Sequence, residues 1–195
     1  MNRDTEFRDW VHEHRPILLR TAVLLTAGDA HSAEDVVQTA LTRLYLAWSK
    51  ARAAENRLAY ARKVVTNVFL DETKKAWRRR ESSFDAVPDV VVSHDADPDD
   101  TTVLLYQALA ELPDRMRAVV VLRYFHEMDV AETSRAMRCT QGTVKSQTSR
   151  ALTKLRERLG PLLAEPEEGA VAPAELVEHV PTVSISIVTA PRSNA

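Results

Sequence analysis

The chain has 195 residues, 45% apolar and 28% charged, an ordinary composition for a globular protein and enough for one mid-sized domain or two small ones. A formal net charge of −2 does not by itself advertise nucleic-acid binding, and the single cysteine, Cys139, excludes an internal disulfide and fits a reducing compartment. No apolar run approaches a membrane span and the opening "MNRDTEFRDW" lacks a secretion-signal layout, so a cytoplasmic location is expected.

Only four glycines occur, at 28, 142, 160 and 169, and hairpin pairs such as Asn-Gly or Asp-Gly are absent. Helical periodicity recurs instead, so the expected fold is all-α. A first helix spans about Glu6 to Leu25 and stops at Gly28, read as its C′ residue. A second follows, with Ser32 as N-cap and Asp35 three positions later in a capping-box arrangement. Val37, Leu41, Leu44 and Trp48 form its core stripe, while Asp35, Gln38 and Thr42 fall on another face. Ser49 to Arg57 reads as a polar loop. The third helix, about Leu58 to Arg80, buries Ala61, Val64, Val65 and Val68. Its other side lines up Lys63, Asn67, Asp71, Lys74 and Arg78, and it ends in "KKAWRRR", five cations in seven residues. A solvated charged face is the bland alternative for that stripe, and Asp71 would repel phosphate.

Residues 82–100 form a linker: "ESSFDAVPDVVVSHDADPDD", from Glu81, carries seven acids, two prolines and no cation. In the second block, about 101–163, "TTVLLYQALAEL" precedes Pro113, which opens a new helix in its first turn. A short helix, Val130 to Met137, leads through a tight turn into a long final helix, the layout of a helix-turn-helix domain. Residues 164–195, with four prolines, are expected to be a disordered tail.

On the long helix Val144, Thr148, Ala151, Leu152, Leu155 and Leu159 gather on one side. Ser146, Ser149, Arg150 and Thr153 point the other way, flanked by Lys145. Short polar side chains with two cations near the helix start suit the DNA major groove, where arginine and lysine donate to guanine and serine serves either base type. Helix N-terminal amides also favour a phosphate oxygen. The bland alternative is a solvated basic face. Arg138 falls where such turns usually carry a left-handed glycine, at a cost of roughly 1 kcal/mol or more for another residue. Cys139 beside it reads as a small buried hydrophobe, with redox sensing the lesser alternative.

The pairing of "AEDVVQTALTRLYLAW" with "LAYARKVVTNVFLDETKKAWRRR", and of "LPDRMRAVVVLRYFHEMDVAETSRAM" with "GTVKSQTSRALTKLRERL", resembles the bacterial RNA polymerase sigma factors. The pattern is most similar to the extracytoplasmic-function (ECF) group and its actinobacterial SigE-like branch, over about Glu6 to Leu163. The resemblance implies two small helical domains joined by an extended acidic linker: a region 2 bundle over 5–81 and a region 4 helix-turn-helix over 101–163. Asp35, Gln38, Thr42 and Arg43 would then dock on the clamp helices of core polymerase. Residues 49–57 would capture a base flipped from the non-template strand. Lys63, Asn67, Asp71, Lys74 and Arg78 would meet the minus-ten element, and Thr143, Lys145, Ser146, Ser149 and Arg150 the minus-thirty-five element. The linker would pass through the polymerase's RNA channel. Thr39 and Arg138 depart from the glutamate and glycine that many members carry.

The expected activity is therefore that of an alternative sigma factor: binding core polymerase, recognising and melting promoters, and starting transcription. Core RNA polymerase and promoter DNA are the expected partners, and the resemblance allows an anti-sigma factor as a third. Free in solution, the two domains are expected to move independently about the linker. Neither a membrane, a small-molecule substrate, a cofactor nor a metal is expected. No phosphate-cradling glycine loop, His/Cys metal spacing or nucleophile-base pair is evident, so an enzyme is not expected. A conventional helix-turn-helix activator and a polymerase-associated interaction module are the rival readings.

Overall fold

A computed structural model describes residues 2–82 and 100–163; the body of the acidic linker and the C-terminal tail lie outside the described residues. Among the described residues there are eight α-helices, one π-helical turn and no strand. They are α1 (Arg3–Leu25), α2 (Ala30–Leu46), α3 (Trp48–Ala53), α4 (Arg57–Ser82), α5 (Asp100–Ala110), α6 (Asp114–Val120), the π turn (Val121–Phe125), α7 (Val130–Met137) and α8 (Gln141–Leu163).

Helix ends are set by local chemistry. The Asn2 side chain accepts from Asp4 N, and Asp4 and Glu6 place negative charge in the first turn of α1, where the helix dipole favours it. At the other end Gly28 N donates to the Val23 carbonyl at 2.9 Å and Ala27 N to Leu24 at 3.3 Å. This is a Schellman pair in which Ala27, at φ 53°, is the left-handed C′ residue. Gly28 is therefore one position beyond the expected C′, although its own φ of 92° still demands glycine.

The second helix is capped by Asp29, not Ser32. The Asp29 carboxylate accepts from Ser32 N at 3.0 Å and from the Ser32 hydroxyl at 2.6 Å, which leaves Asp35 outside any capping box. Pro113 likewise stands just before α6, as its N-cap. A true capping box opens α7: Glu132 N donates to Asp129 Oδ1 at 2.7 Å and Asp129 N to Glu132 Oε2 at 2.8 Å.

In the first block, Leu18, Leu24, Val37, Leu44, Trp48, Ala61, Val65 and Val68 pack as one core. Phe7, Trp10 and Trp48 form an aromatic corner, with Phe7 edge-on to Trp48 at 5.1 Å between ring centroids. Ser49 to Arg57 is only partly a loop. Trp48 and Ala51 are buried and pull the first part into α3, and the Asn56 side chain then accepts from Ala59 N at 2.9 Å to start α4.

The two blocks, expected to move independently about the linker, here pack against each other. The buried set continues from Leu25 and Phe69 into Tyr106, Leu109, Val119 and Leu122 of the second block. Tyr106 is buried against the α1–α2 turn, where a Cβ on Gly28 would come within 3.0 Å of its ring. Burying a large side chain of this kind contributes roughly 1.5–3 kcal/mol. Polar contacts join the blocks as well. Arg117 Nη1 donates to the Leu25 carbonyl at 3.0 Å, Asn67 Nδ2 to the Ala136 carbonyl at 3.2 Å, and Thr21 Oγ1 lies 3.1 Å from His126 Nε2. The Arg117 guanidinium also sits 5.9 Å from the Phe69 ring centroid. The physical reason is that the α1–α2–α4 bundle leaves apolar surface uncovered, and α5, α6 and the π turn cover it.

Candidate nucleic-acid and polymerase interfaces

The recognition helix is built from its turn outward. The Arg138 N–H donates to the Ser134 carbonyl at the end of α7, and Arg138 adopts φ 51°, ψ 50°. The left-handed turn is kept without glycine, and the fold absorbs the strain. Thr140 then caps α8, its hydroxyl accepting from Thr143 N at 3.1 Å. The Thr143 hydroxyl lies 2.9 Å from that of Thr140, and Thr143 is half-buried at the cap. Cys139 is half-buried against the core, where the small-hydrophobe reading puts it.

Val144 and Ala151 are fully buried beneath α8, against α6 and α7. On the opposite side Lys145, Ser146, Ser149, Arg150 and Thr153 are all exposed. The Ser146 hydroxyl donates to the Thr143 carbonyl at 3.1 Å and so keeps its lone pairs outward. No carboxylate among the described residues pairs with Lys145 or Arg150. The face is a short row of donors and acceptors carrying positive charge, dimensions that suit a groove.

The α4 stripe is less uniform. Asp71, Lys74 and Arg78 are exposed, whereas Lys63 and Asn67 are half-buried. Asp71 does not stand alone in the row: it pairs with Arg43 of α2 at 2.8 Å. Trp77, 58% exposed among the cations that end the helix, adds a flat apolar surface to the same end.

On α2 the Asp35, Gln38 and Thr42 side chains are exposed on one face, as their spacing predicts. Leu46, four residues after Thr42, extends that face and is 75% exposed, a feature the sequence reading missed. Arg43 turns away from this row toward Asp71. Among the described residues no cluster of three or more metal-ligating side chains occurs, and no helix is long and apolar enough to cross a membrane.

A helix-turn-helix pair presenting an exposed basic-polar row defines a DNA-binding transcription protein. Comparisons with known proteins carry this further. Residues 10–79 match the model of Sigma-70 region 2, and residues 102–155 that of Sigma-70, region 4. The chain is 37% identical over 157 residues to the RNA polymerase sigma-E factor of Streptomyces avermitilis, covering 79% of this chain and 85% of that one. It is 32% identical over 151 residues to the ECF RNA polymerase sigma factor SigL of Mycobacterium tuberculosis, covering 74% and 83%. Its fold is similar to the sigma factor RpoE of Bartonella quintana, solved in complex with the anti-sigma factor NepR. The TM-score there is 0.67 at 24% identity, covering 80% of this chain and 97% of that one. The chain belongs to the ECF group of sigma factors. It is an alternative sigma factor that binds core RNA polymerase and directs promoter recognition and transcription initiation. The conventional-activator and interaction-module readings give way, because region 2 precedes the helix-turn-helix.

Proposed function

We propose a division of this activity among named surfaces. Lys145, Ser146, Ser149 and Arg150 read the minus-thirty-five element from the major groove, and Thr143 serves the cap of their helix. Lys63, Asn67, Lys74 and Arg78 take the minus-ten strand, with cations on phosphates and the amide on a base edge. Residues 49–57 hold an unstacked base during melting, a step that costs a few kcal/mol and that backbone contacts must offset. Asp35, Gln38, Thr42 and the exposed Leu46 dock on core polymerase, with Arg43 beside them held by Asp71.

The single observation that carries this is the recognition row: exposed Ser146, Ser149 and Arg150, flanked by Lys145, on the side of α8 away from the fully buried Val144 and Ala151. The supporting domain boundaries are 5–81, 82–100 and 101–163, with 164–195 as a tail. The chain works stoichiometrically in the cytoplasm, as a specificity subunit rather than a catalyst. An anti-sigma factor is its inhibitory partner, as NepR accompanies the structurally similar RpoE. Reconstitution with core polymerase followed by run-off transcription on mapped promoters tests the whole assignment. Loss of upstream-element dependence in the Lys145→Ala, Arg150→Ala double variant is expected, and unchanged dependence overturns the recognition row.

A further inference from the structure

We propose that Trp77 contacts DNA directly, its indole resting on the sugar–phosphate backbone of the paired spacer just upstream of the opened segment, between phosphates held by Lys74 and Arg78. This rests on the assignment of α4 to the minus-ten strand.

The chain has three tryptophans, and two of them belong to the core. Trp10 is 6% exposed and Trp48 1%, whereas Trp77 is 58% exposed. The Trp77 indole N–H has no partner among the described residues. Its neighbours decide what covers it. Trp77 stands three residues after Lys74, so it carries the α4 stripe one turn further, with Arg78 beside it. Lys74, Lys75 and Arg78 are all exposed, and Lys74 pairs with no carboxylate among the described residues. From Lys74 to Arg80 the sequence holds five cations and no acid. An apolar protein face laid over this indole would bury those cations without partners, which is costly. A polyanion satisfies both.

The DNA backbone alternates an apolar deoxyribose with an anionic acceptor. An indole has the complementary make-up, an apolar body with a single N–H donor. It can lie on a sugar and donate to the next phosphate oxygen while cations on either side take the flanking phosphates. The length of α4 sets where this happens. The helix is unbroken from Arg57 to Ser82. At helical rise Trp77 stands roughly 30 Å along the axis from Arg57, close to nine base-pair steps. With an unstacked base held at 49–57, the far end of α4 meets DNA that is still paired. The chain leaves this end toward the block that reads the upstream element, which makes that DNA the spacer. The contact grips the spacer without reading its sequence.

The test uses the full chain in holoenzyme on a mapped promoter. Hydroxyl-radical footprinting reads access to each deoxyribose. The wild type should protect spacer sugars upstream of the minus-ten element. Trp77→Ala should lose that protection, keep both elements protected, and leave the melting temperature unchanged. Promoter affinity should fall about two- to tenfold, the range for one aromatic contact. The salt dependence of binding should keep its slope in Trp77→Ala and drop by about one in Lys74→Ala. Trp77→Phe, flat but without the donor, should recover part of the affinity. On a template whose duplex ends at the upstream edge of the minus-ten element, wild type and Trp77→Ala should bind equally. A difference that persists there puts the indole on the opened strand and overturns the spacer contact. An unchanged spacer footprint overturns it too. So does weaker core-polymerase binding at unchanged promoter affinity, which gives the indole to a protein partner. Where the Trp77 effect is absent, Asn67→Ala separates the causes: lost minus-ten dependence keeps the α4 assignment, and retained dependence removes that as well.

Discussion

Arg43 of α2 and Asp71 of α4 meet at 2.8 Å with both side chains about half open to solvent, so the faces proposed for polymerase and for DNA share one ion pair. A carboxylate in a DNA-contacting row would repel phosphate. Here it holds a guanidinium instead. Asp71→Ala should leave promoter affinity of the holoenzyme unweakened while lowering affinity for core polymerase severalfold through a mobile Arg43. A double-mutant cycle on folding should show about 0.2–1 kcal/mol of coupling, as for other solvent-exposed pairs. Reduced minus-ten selectivity with normal core binding would contradict this.

Lys145 and Arg150 carry exposed charge, whereas Thr140 carries the helix start. Replacing either cation with alanine should cost about 1–3 kcal/mol of discrimination at the minus-thirty-five element and leave thermal stability unchanged. Thr140→Ala should do the reverse, lowering stability by about 0.5–2 kcal/mol through loss of the cap. Competition binding with mutated upstream elements, run beside thermal melts, separates the two kinds of residue.

Leu46 is a large apolar side chain left 75% exposed beside Thr42 and Gln38. Leu46→Asp should change folding stability by no more than about 0.5 kcal/mol, since little burial is lost. Its effect should fall on association with core polymerase, by about tenfold or more, the behaviour of an apolar anchor. Wild-type affinity in that variant would place the docking face elsewhere on α2.

His126 gives the packing between the two blocks a pH dependence. Its imidazole is pushed down to about 3, first by burial and then by Arg62 and Arg20, against an ordinary value near 6.5. An unfolded chain therefore binds a proton at this ring that the folded chain rejects. The stability this buried ring contributes is fully present above pH 6.5 and is lost as pH falls toward 3, by up to about tenfold in the folding equilibrium per unit. The melting temperature, followed from pH 8 to pH 5, should fall on the acid side, and His126→Gln should flatten the profile.

Arg138 sits at φ 51° without the freedom of glycine. Arg138→Gly should raise stability by about 1 kcal/mol by relieving the left-handed strain, with no change at the exposed face of α8. A fall in the melting temperature would show that the arginine side chain makes a compensating contact.

Much of the fold and part of the site can be read in the amino-acid order, and the split has physical causes. Val130 to Met137 and the buried-against-exposed division of α8 follow from helical spacing alone, because one face must be apolar. The start of α2 was misread because Ser32 and Asp35 imitate a capping box, while Asp29, three residues before Ser32, reaches its amide first. The Asp129–Glu132 box has the same signature and went unread. The α3 segment has too few residues for a period, and burial of Trp48 and Ala51 decides it. Contacts between the blocks are invisible for another reason: Thr21 and His126 are 105 positions apart, and nothing local marks either as a partner. Leu46 reads as one more apolar helix residue until its surroundings are known.

Between Val120 and His126 the helix loosens into a five-residue π turn. Such a turn holds one residue more than α-helical pitch allows, and it sets the angle at which everything beyond it emerges. Deleting a single residue there would restore ordinary pitch and swing the imidazole roughly 100° around the axis, away from Thr21. The fit of the second block on the first is thus indexed by the length of one helix, and a relative one residue shorter at this joint would keep both blocks yet lose the Thr21–His126 contact between them.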